Sequence, residues 1–309
     1  MEHRIGERAS LIAVIGATAT GKTRRAVCIA RSVGGEIISA DSRQVYRRMD
    51  IGTGKDLDEY GDIRVHLVDI CEPGEKYNLH RYLQDYNKAV AEVRSRSLMP
   101  IVCGGSGMYV EAALNGLNLP EVPRNELLRQ ELEGKTLPEL TKILSGMKSL
   151  HNKTDVDTVD RALRAIEIQK YYMSHPDEDF GSKSNPEENA VIIGIDIDRD
   201  TRRMSIDRRL RMRFESGMTE EVERLLAEGV SAENLIYYGL EYKWLTLYVT
   251  GQITREEMET GLQTAIHQFA KRQMTWFRGM ERRGHKIYWL PWDMDNDEFV
   301  EQVRSIAGL

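Results

Sequence analysis

Residues 11–23 read LIAVIGATATGKT, an apolar run that gives way to glycine, small residues, a lysine and a threonine. From Gly16 to Thr23 the stretch fits GxxxxGK[ST] in full, and a helical pattern continues from it through Arg31. Strand, glycine loop and helix in that order make a phosphate cradle. The small side chains of Gly16, Ala17, Thr18, Ala19, Thr20 and Gly21 let backbone N–H groups converge on phosphate oxygens. The helix N-terminus adds partial positive charge. Lys22 brings a point charge to the terminal phosphates, and the Thr23 hydroxyl is suited to ligating Mg²⁺. The motif fixes a bound di- or triphosphate and leaves open which group is transferred.

Working outward, similar apolar runs occur at Glu36–Ala40, Val65–Ile70, Pro100–Cys103 and Val191–Ile197, each followed by a loop and helical periodicity. This alternation predicts an α/β fold, a P-loop NTPase-like parallel sheet flanked by helices on both faces. Lys286–Leu290 reads as an additional edge strand. Between Gly116 and Ala190 the pattern changes: Pro120 and Pro123 mark a turn, and residues 126–147 and 155–173 read as helices with no strand between them. We therefore read 1–117 and 190–309 as the catalytic α/β core and 118–189 as a helical insertion. The stretch SHPDEDFGSKSNPEEN (174–189) is polar, rich in turn formers, and predicts a mobile loop. Met204, Leu210, Phe214, Met218, Val222 and Leu226 suggest one apolar helix face, and Thr254 with Glu257 forms a capping box opening a long helix through Met280.

No apolar run in the 309 residues approaches the ~20 of a membrane span, and the charged N-terminus lacks a signal-peptide core. Cys28, Cys71 and Cys103 are isolated and read as small buried residues rather than disulfides or metal ligands. A soluble cytoplasmic protein is expected. The net charge of −6 argues against indiscriminate nucleic-acid coating, yet seven of the fifteen residues from Arg199 to Arg213 are arginine. KR, FR and ERR recur between Lys271 and Arg283. From charge alone these are either solvated helix faces or a surface for nucleic acid.

Asp41 follows the run EIISA, at the carboxyl end of a strand beside the cradle, where ligands sit in open parallel sheets. By position it either serves a ligand or caps the next segment. Ser42, Arg43 and Gln44 follow, and Gln44 has the amide that pairs with an adenine edge. Asp69, closing Val65–Asp69, either holds a metal through water or caps a turn.

The segments GATATGKT, ISADSRQVYRRMDIGTGK, VHLVDI, GGSGMY, RALRAIEI and QFAKRQMTWFR stand in the order found in the tRNA dimethylallyltransferase (isopentenyltransferase) family. The chain resembles that family from about Ile12 to Leu290. The resemblance implies transfer of a dimethylallyl group from dimethylallyl diphosphate to N6 of the adenosine 3′ of the tRNA anticodon, with diphosphate leaving. It assigns the diphosphate to residues 16–23 and Arg209, Mg²⁺ to Thr23, and catalysis to Asp41, Thr18 and Arg209. Asp41 would accept the amine proton, and Thr18 and Thr20 would offer hydroxyls near the bridging oxygen. Contacts with tRNA are assigned to Asp41, Ser42, Arg43, Gln44 and Ser106, to Asp157, Thr158, Val159, Asp160 and Arg161, and to Tyr242 and Lys243. Lys271, Thr275, Arg278 and Arg282 share one stripe of the last long helix, suited to phosphates. The insertion would grip the anticodon stem-loop, and a monomer is expected.

The sequence departs from the family pattern at several points. The usual GPT is Gly16-Ala17-Thr18, GTAK is Gly52-Thr53-Gly54-Lys55, and GGTG is Gly104-Gly105-Ser106-Gly107. VGYR has become Leu240-Glu241-Tyr242-Lys243; if this loop still faces the RNA, Glu241 either points away from it or binds it through water or Mg²⁺. Rival readings are transfer to free AMP, ADP or ATP, a P-loop nucleotide kinase, and an RNA-binding P-loop switch without catalysis.

Overall fold

The computed structural model describes residues 8–149, 156–176, 186–187 and 189–309. Its strands are β1 (Leu11–Ile15), β2 (Gly35–Ser39), β3 (Val65–His66), β4 (Met99–Gly104), β5 (Ala190–Asp196) and β6 (Ile287–Pro291). They form one six-stranded sheet in the order β3-β2-β4-β1-β5-β6, and every neighbouring pair is parallel. In central β1 every residue is buried, and Ile12 stands in register with Ile101 on one side and Val191 on the other. A parallel sheet covered on both faces needs continuous apolar runs, which is the pattern these strands carry. β6 takes the edge beside β5.

β3 is shorter than the apolar run Val65–Ile70 predicts. Leu67 (φ 63°) and Asp69 (φ 56°) are left-handed and turn the chain off the sheet. The Asp69 carboxylate then pairs with buried Lys55, which also reaches Asp50 and the Tyr46 carbonyl, both at 2.6 Å. Asp69 thus anchors a turn.

Helix α1 (Lys22–Val33) leaves the cradle and stops at left-handed Gly34; α2 (Leu79–Ser95) is capped by Asn78, and α3 (Gly107–Leu114) follows β4. The chain divides into two compact units, Met1–Gly116 with Asn185–Leu309, and Leu117–Ser184. The second holds α4 (Glu126–Glu131), α5 (Leu137–Met147) and α6 (Val159–Ser174), packed on Leu128, Leu132, Leu140, Leu144, Ala162 and Ile166. Residues 126–147 are therefore two helices. Gly134 (φ 77°) breaks them, and the Thr136–Glu139 capping box restarts the second. Buried Glu167 accepts from Arg129 at 2.7 Å and from Arg164 at 3.1 Å. Most of the polar stretch 174–189 lies outside the described residues.

The first unit continues with α7 (Arg199–Glu215), α8 (Met218–Ala227), α9 (Ala232–Tyr237), α10 (Leu240–Val249) and α11 (Arg255–Arg282). The single apolar face expected across 204–226 is split. Gly217 (φ 91°) separates α7 from α8, Met204 is exposed, and Ile206 with Leu210 forms the buried side of α7. The Thr254–Glu257 capping box opens α11. Last, α12 (Asn296–Ala307) covers α1: Phe299, Val303 and Ala307 share a core with Ala26, Val27 and Ala30. Arg25 donates to Asn296 Oδ1 at 2.8 Å and lies over the Phe299 ring. Among the described residues no helix is long and apolar enough to cross a membrane.

Candidate active site

A narrow cavity of about 40 Å³ opens at the carboxyl edge of β1, β2 and β4, the edge a parallel sheet offers to ligands. Thr18, Lys22, Thr23, Asp41, Arg43, Gln44 and Arg209 line it together, so the cradle and the segment after β2 converge as the motifs imply. Ala19 (φ 61°) and Gly21 (φ 75°) bend the cradle, and Thr20 Oγ1 donates to the Ala17 carbonyl at 2.9 Å. The Thr20 hydroxyl thereby braces the loop from within. Burial lowers the Lys22 ammonium below its ordinary value; Arg209 adds to this, and Asp41 opposes it.

One Asp41 oxygen accepts from the Arg43 N–H at 3.0 Å, closing a turn, while the carboxylate still faces the cavity. The capping and ligand-facing positions are therefore compatible. The Ser42 N–H donates to Ser106 Oγ at 3.3 Å and joins two loops of the rim. Gln44 is engaged at both ends: Oε1 accepts from Ser39 Oγ at 3.1 Å, and Nε2 donates to the Gly54 carbonyl at 3.0 Å. Its amide thus braces the loop carrying Thr53 and Gly54.

Arg209 donates to the same Gly54 carbonyl at 3.3 Å and pairs with Asp56. Arg213, one turn on, also lines the cavity; burial, with Arg209 beside it, lowers its guanidinium to about 10. A Cβ on Gly54 (φ 63°) would fall on the Arg213 guanidinium, so a larger residue there requires that side chain to shift. Alanine, the family's usual residue here, would collide with it.

Two contributors escaped the sequence reading, and a third, Glu241, stands in it only as a departure from the family pattern. Gln273 of α11 is buried; its Oε1 accepts from the Thr18 N–H at 2.9 Å, and its Nε2 donates to the Gly105 carbonyl at 2.9 Å. It clamps the cradle to the loop after β4. The available signal was a polar residue on the apolar face formed by Ile266, Ala270 and Phe277. Glu221, also buried, accepts from the N–H groups of Asp50 at 2.8 Å, Ile51 at 2.8 Å and Gly52 at 3.0 Å. Glu241 is buried between Arg43 and Arg213.

Tyr242, expected on an RNA-facing loop, is buried, and its hydroxyl donates to Glu221 at 2.6 Å. That burial leaves its side chain no surface for RNA; its neighbour Lys243 is exposed. In the second unit, Asp157 to Arg161 are exposed at the start of α6. Arg161 pairs with Asp157 at 2.6 Å, Asp160 with Arg129 at 3.0 Å, and Thr158 caps the helix. Among the described residues no group of three His, Cys, Asp or Glu side chains could hold a metal ion. The Thr23 hydroxyl and Asp41 carboxylate beside a phosphate cradle do suit a hard divalent ion that brings most of its oxygen ligands with the phosphate.

A family model described as IPP transferase matches residues 44–280, and one described as isopentenyl transferase matches residues 9–69. The chain belongs to the IPP transferase family. Among members, it is 54% identical over 299 residues to tRNA dimethylallyltransferase 2 of Bacteroides fragilis, covering 96% of this chain and 97% of that one. It is 55% identical over 300 residues to tRNA dimethylallyltransferase 1 of Porphyromonas gingivalis, covering 96% and 98%. A solved tRNA isopentenylpyrophosphate transferase from Bacillus halodurans superposes with a TM-score of 0.69 at 29% identity, over 95% of this chain and 93% of that one. The Staphylococcus epidermidis tRNA Δ2-isopentenylpyrophosphate transferase gives 0.68 at 27% identity, over 96% and 97%.

Proposed function

We propose that this IPP transferase moves a dimethylallyl group from dimethylallyl diphosphate to N6 of the adenosine just 3′ of the tRNA anticodon and releases diphosphate. The observation that carries the reading is the meeting of a complete phosphate cradle and the Asp41 carboxylate in one cavity. The cradle N–H groups, Lys22 and Arg209 bind the diphosphate and stabilise the charge it gains as the allylic C–O bond breaks. The Thr18 hydroxyl donates to the bridging oxygen. The Thr23 hydroxyl would help hold a Mg²⁺ ion, which would supply further neutralisation of the leaving group. The adenine amine is a poor nucleophile because its lone pair is delocalised into the ring. Asp41 accepts its proton as the C–N bond forms, general-base work worth ~10²–10⁴-fold.

The acceptor base leaves the anticodon loop to enter the cavity, as bases do in enzymes that act on them. Arg43 and Ser106 at the rim, the exposed segment Asp157–Arg161 and exposed Lys243 are the tRNA contacts in this reading. Tyr242 acts through Glu221 instead of touching RNA. The enzyme works as a cytoplasmic monomer.

Incubation with dimethylallyl diphosphate and either unmodified tRNA or AMP, followed by digestion and mass spectrometry, tests this. A C5 unit is expected on tRNA adenosine alone. Modification of AMP with tRNA untouched would overturn the reading.

A further inference from the structure

A groove of about 570 Å³ runs between α7 and α11. Arg199, Arg202 and Arg203 line it from α7, and Lys271, Thr275 and Arg278 from α11, with no carboxylate among its lining residues. None of these five cations makes an ion pair among the described residues. Several surface arginines elsewhere are matched, among them Arg31 with Asp62, Arg47 with Glu72, Arg48 with Glu228 and Arg81 with Glu75; those left unmatched among the described residues, such as Arg24 and Arg224, line no such groove. In a chain of net charge −6, acids were available to neutralise the groove. Asp198 and Asp207 act on Arg202 and Arg203 without pairing with them; like charges gathered with so little neutralisation repel one another and weaken the fold, so their concentration calls for an anionic occupant.

The position of the groove narrows the choice of occupant. Arg202, Ile206, Arg209 and Arg213 lie at i, i+4, i+7 and i+11, on one face of α7. The first two line the groove, and the last two line the cavity with Asp41. Seven residues of helix are ~10 Å, so the cations begin a nucleotide or two from the reacting site. α11 also reaches both places, with Lys271 and Arg278 in the groove and Gln273, on another face of the helix, at the cavity.

We infer that the α7–α11 groove is a track for the phosphodiester backbone of the RNA substrate, reading charge and not sequence. The inference rests on the tRNA reading above and extends it to a surface on α7. Such contacts place a substrate without specifying its bases.

The test compares wild type with R202Q/R203Q, and with R31Q/R47Q as a control drawn from paired arginines. Binding of an unmodified tRNA transcript is followed by fluorescence anisotropy across a salt series, and transfer is assayed separately. For R202Q/R203Q the tRNA Kd should rise about tenfold or more, and the slope of log K against log salt should shrink by about one for each phosphate no longer neutralised. Dimethylallyl diphosphate affinity should hold, the KM for tRNA should rise more than kcat falls, and the melting temperature should stay level or rise. Unchanged tRNA affinity and salt slope, or an equal loss in R31Q/R47Q, would overturn the track. So would loss of poly-glutamate binding with tRNA binding intact, since the groove would then serve an acidic polypeptide. A wild type that binds tRNA through the groove but transfers nothing would sink the transferase reading and leave the track standing.

Discussion

Glu241 holds Arg213 from one carboxylate oxygen at 3.1 Å, while its other oxygen accepts from Arg43 at 2.6 Å. The motif departure at Glu241 and the one at Gly54 therefore meet on the same guanidinium: one supplies its counter-charge, the other the space it occupies. Glu241 does point away from the surface, and it does so by turning into the cavity wall. Replacing it with glycine to restore the usual family residue would strand two largely buried cations. We expect Glu241→Gly to cost roughly 3–5 kcal/mol in chemical denaturation, the usual penalty for breaking a buried ion pair from one side. Wild-type stability in that variant would show that the pair carries no such weight.

The same carboxylate gives a pH dependence. Burial pushes Glu241 up, but Arg43 and Arg213 overcome this and hold it below its ordinary value. Its pKa is thus lower folded than unfolded, so its contribution to stability is full above the unfolded value of ~4.3. That contribution is lost as pH falls through the folded value. Urea titrations from neutral pH downward should show a shallower acid-side loss of stability in Glu241→Gln than in wild type.

For Asp41, Asp41→Asn keeps an oxygen for the Arg43 N–H and removes the base. Single turnover should fall ~10²-fold or more with tRNA affinity nearly intact. Near-normal single-turnover rates would remove the general-base assignment.

Gln273→Leu preserves volume and deletes both clamp bonds, leaving the Thr18 N–H and the Gly105 carbonyl without this partner. Each such loss costs about 1–3 kcal/mol when the group stays dry. The expected outcome is a lower melting temperature with a rise in KM for dimethylallyl diphosphate, measured by steady-state kinetics. A change confined to tRNA binding would contradict the clamp.

Tyr242 and Lys243 should separate cleanly. Tyr242→Phe removes one of four donors to Glu221 and should cost about 1–3 kcal/mol of stability with tRNA affinity little changed. Lys243→Ala should weaken tRNA binding in a salt-dependent way and leave stability alone. Thermal melts and tRNA titrations on both variants decide the matter.

What could be read in advance was what is local in the chain. β1, β4 and β5 announced themselves because burial on both faces demands unbroken apolar runs, and the α11 start because Thr254 and Glu257 satisfy each other's backbone. The left-handed turns at Leu67 and Asp69 carry no residue signature, so β3 looked longer than it is. Gly217 was visible, but the apolar spacing ran straight across it. At the site, Thr18, Lys22, Thr23 and Asp41 follow strand ends and could be placed by sequence. Gln273, Glu221 and Glu241 arrive from distant helices, and only packing brings them to the loops they hold.

The roof that α12 places over α1 has a consequence for synthesis. Phe299, Val303 and Ala307 close the face of Ala26, Val27 and Ala30, and the Ala9 N–H donates to the Ala307 carbonyl at 2.8 Å. A ribosome makes α1 long before α12, so the helix behind the phosphate cradle emerges with an apolar side that its partner helix does not yet cover. Apolar surface left open in that way is prone to aggregation until its partner helix arrives. The helix behind the phosphate cradle is therefore fully packed only once α12 has been made.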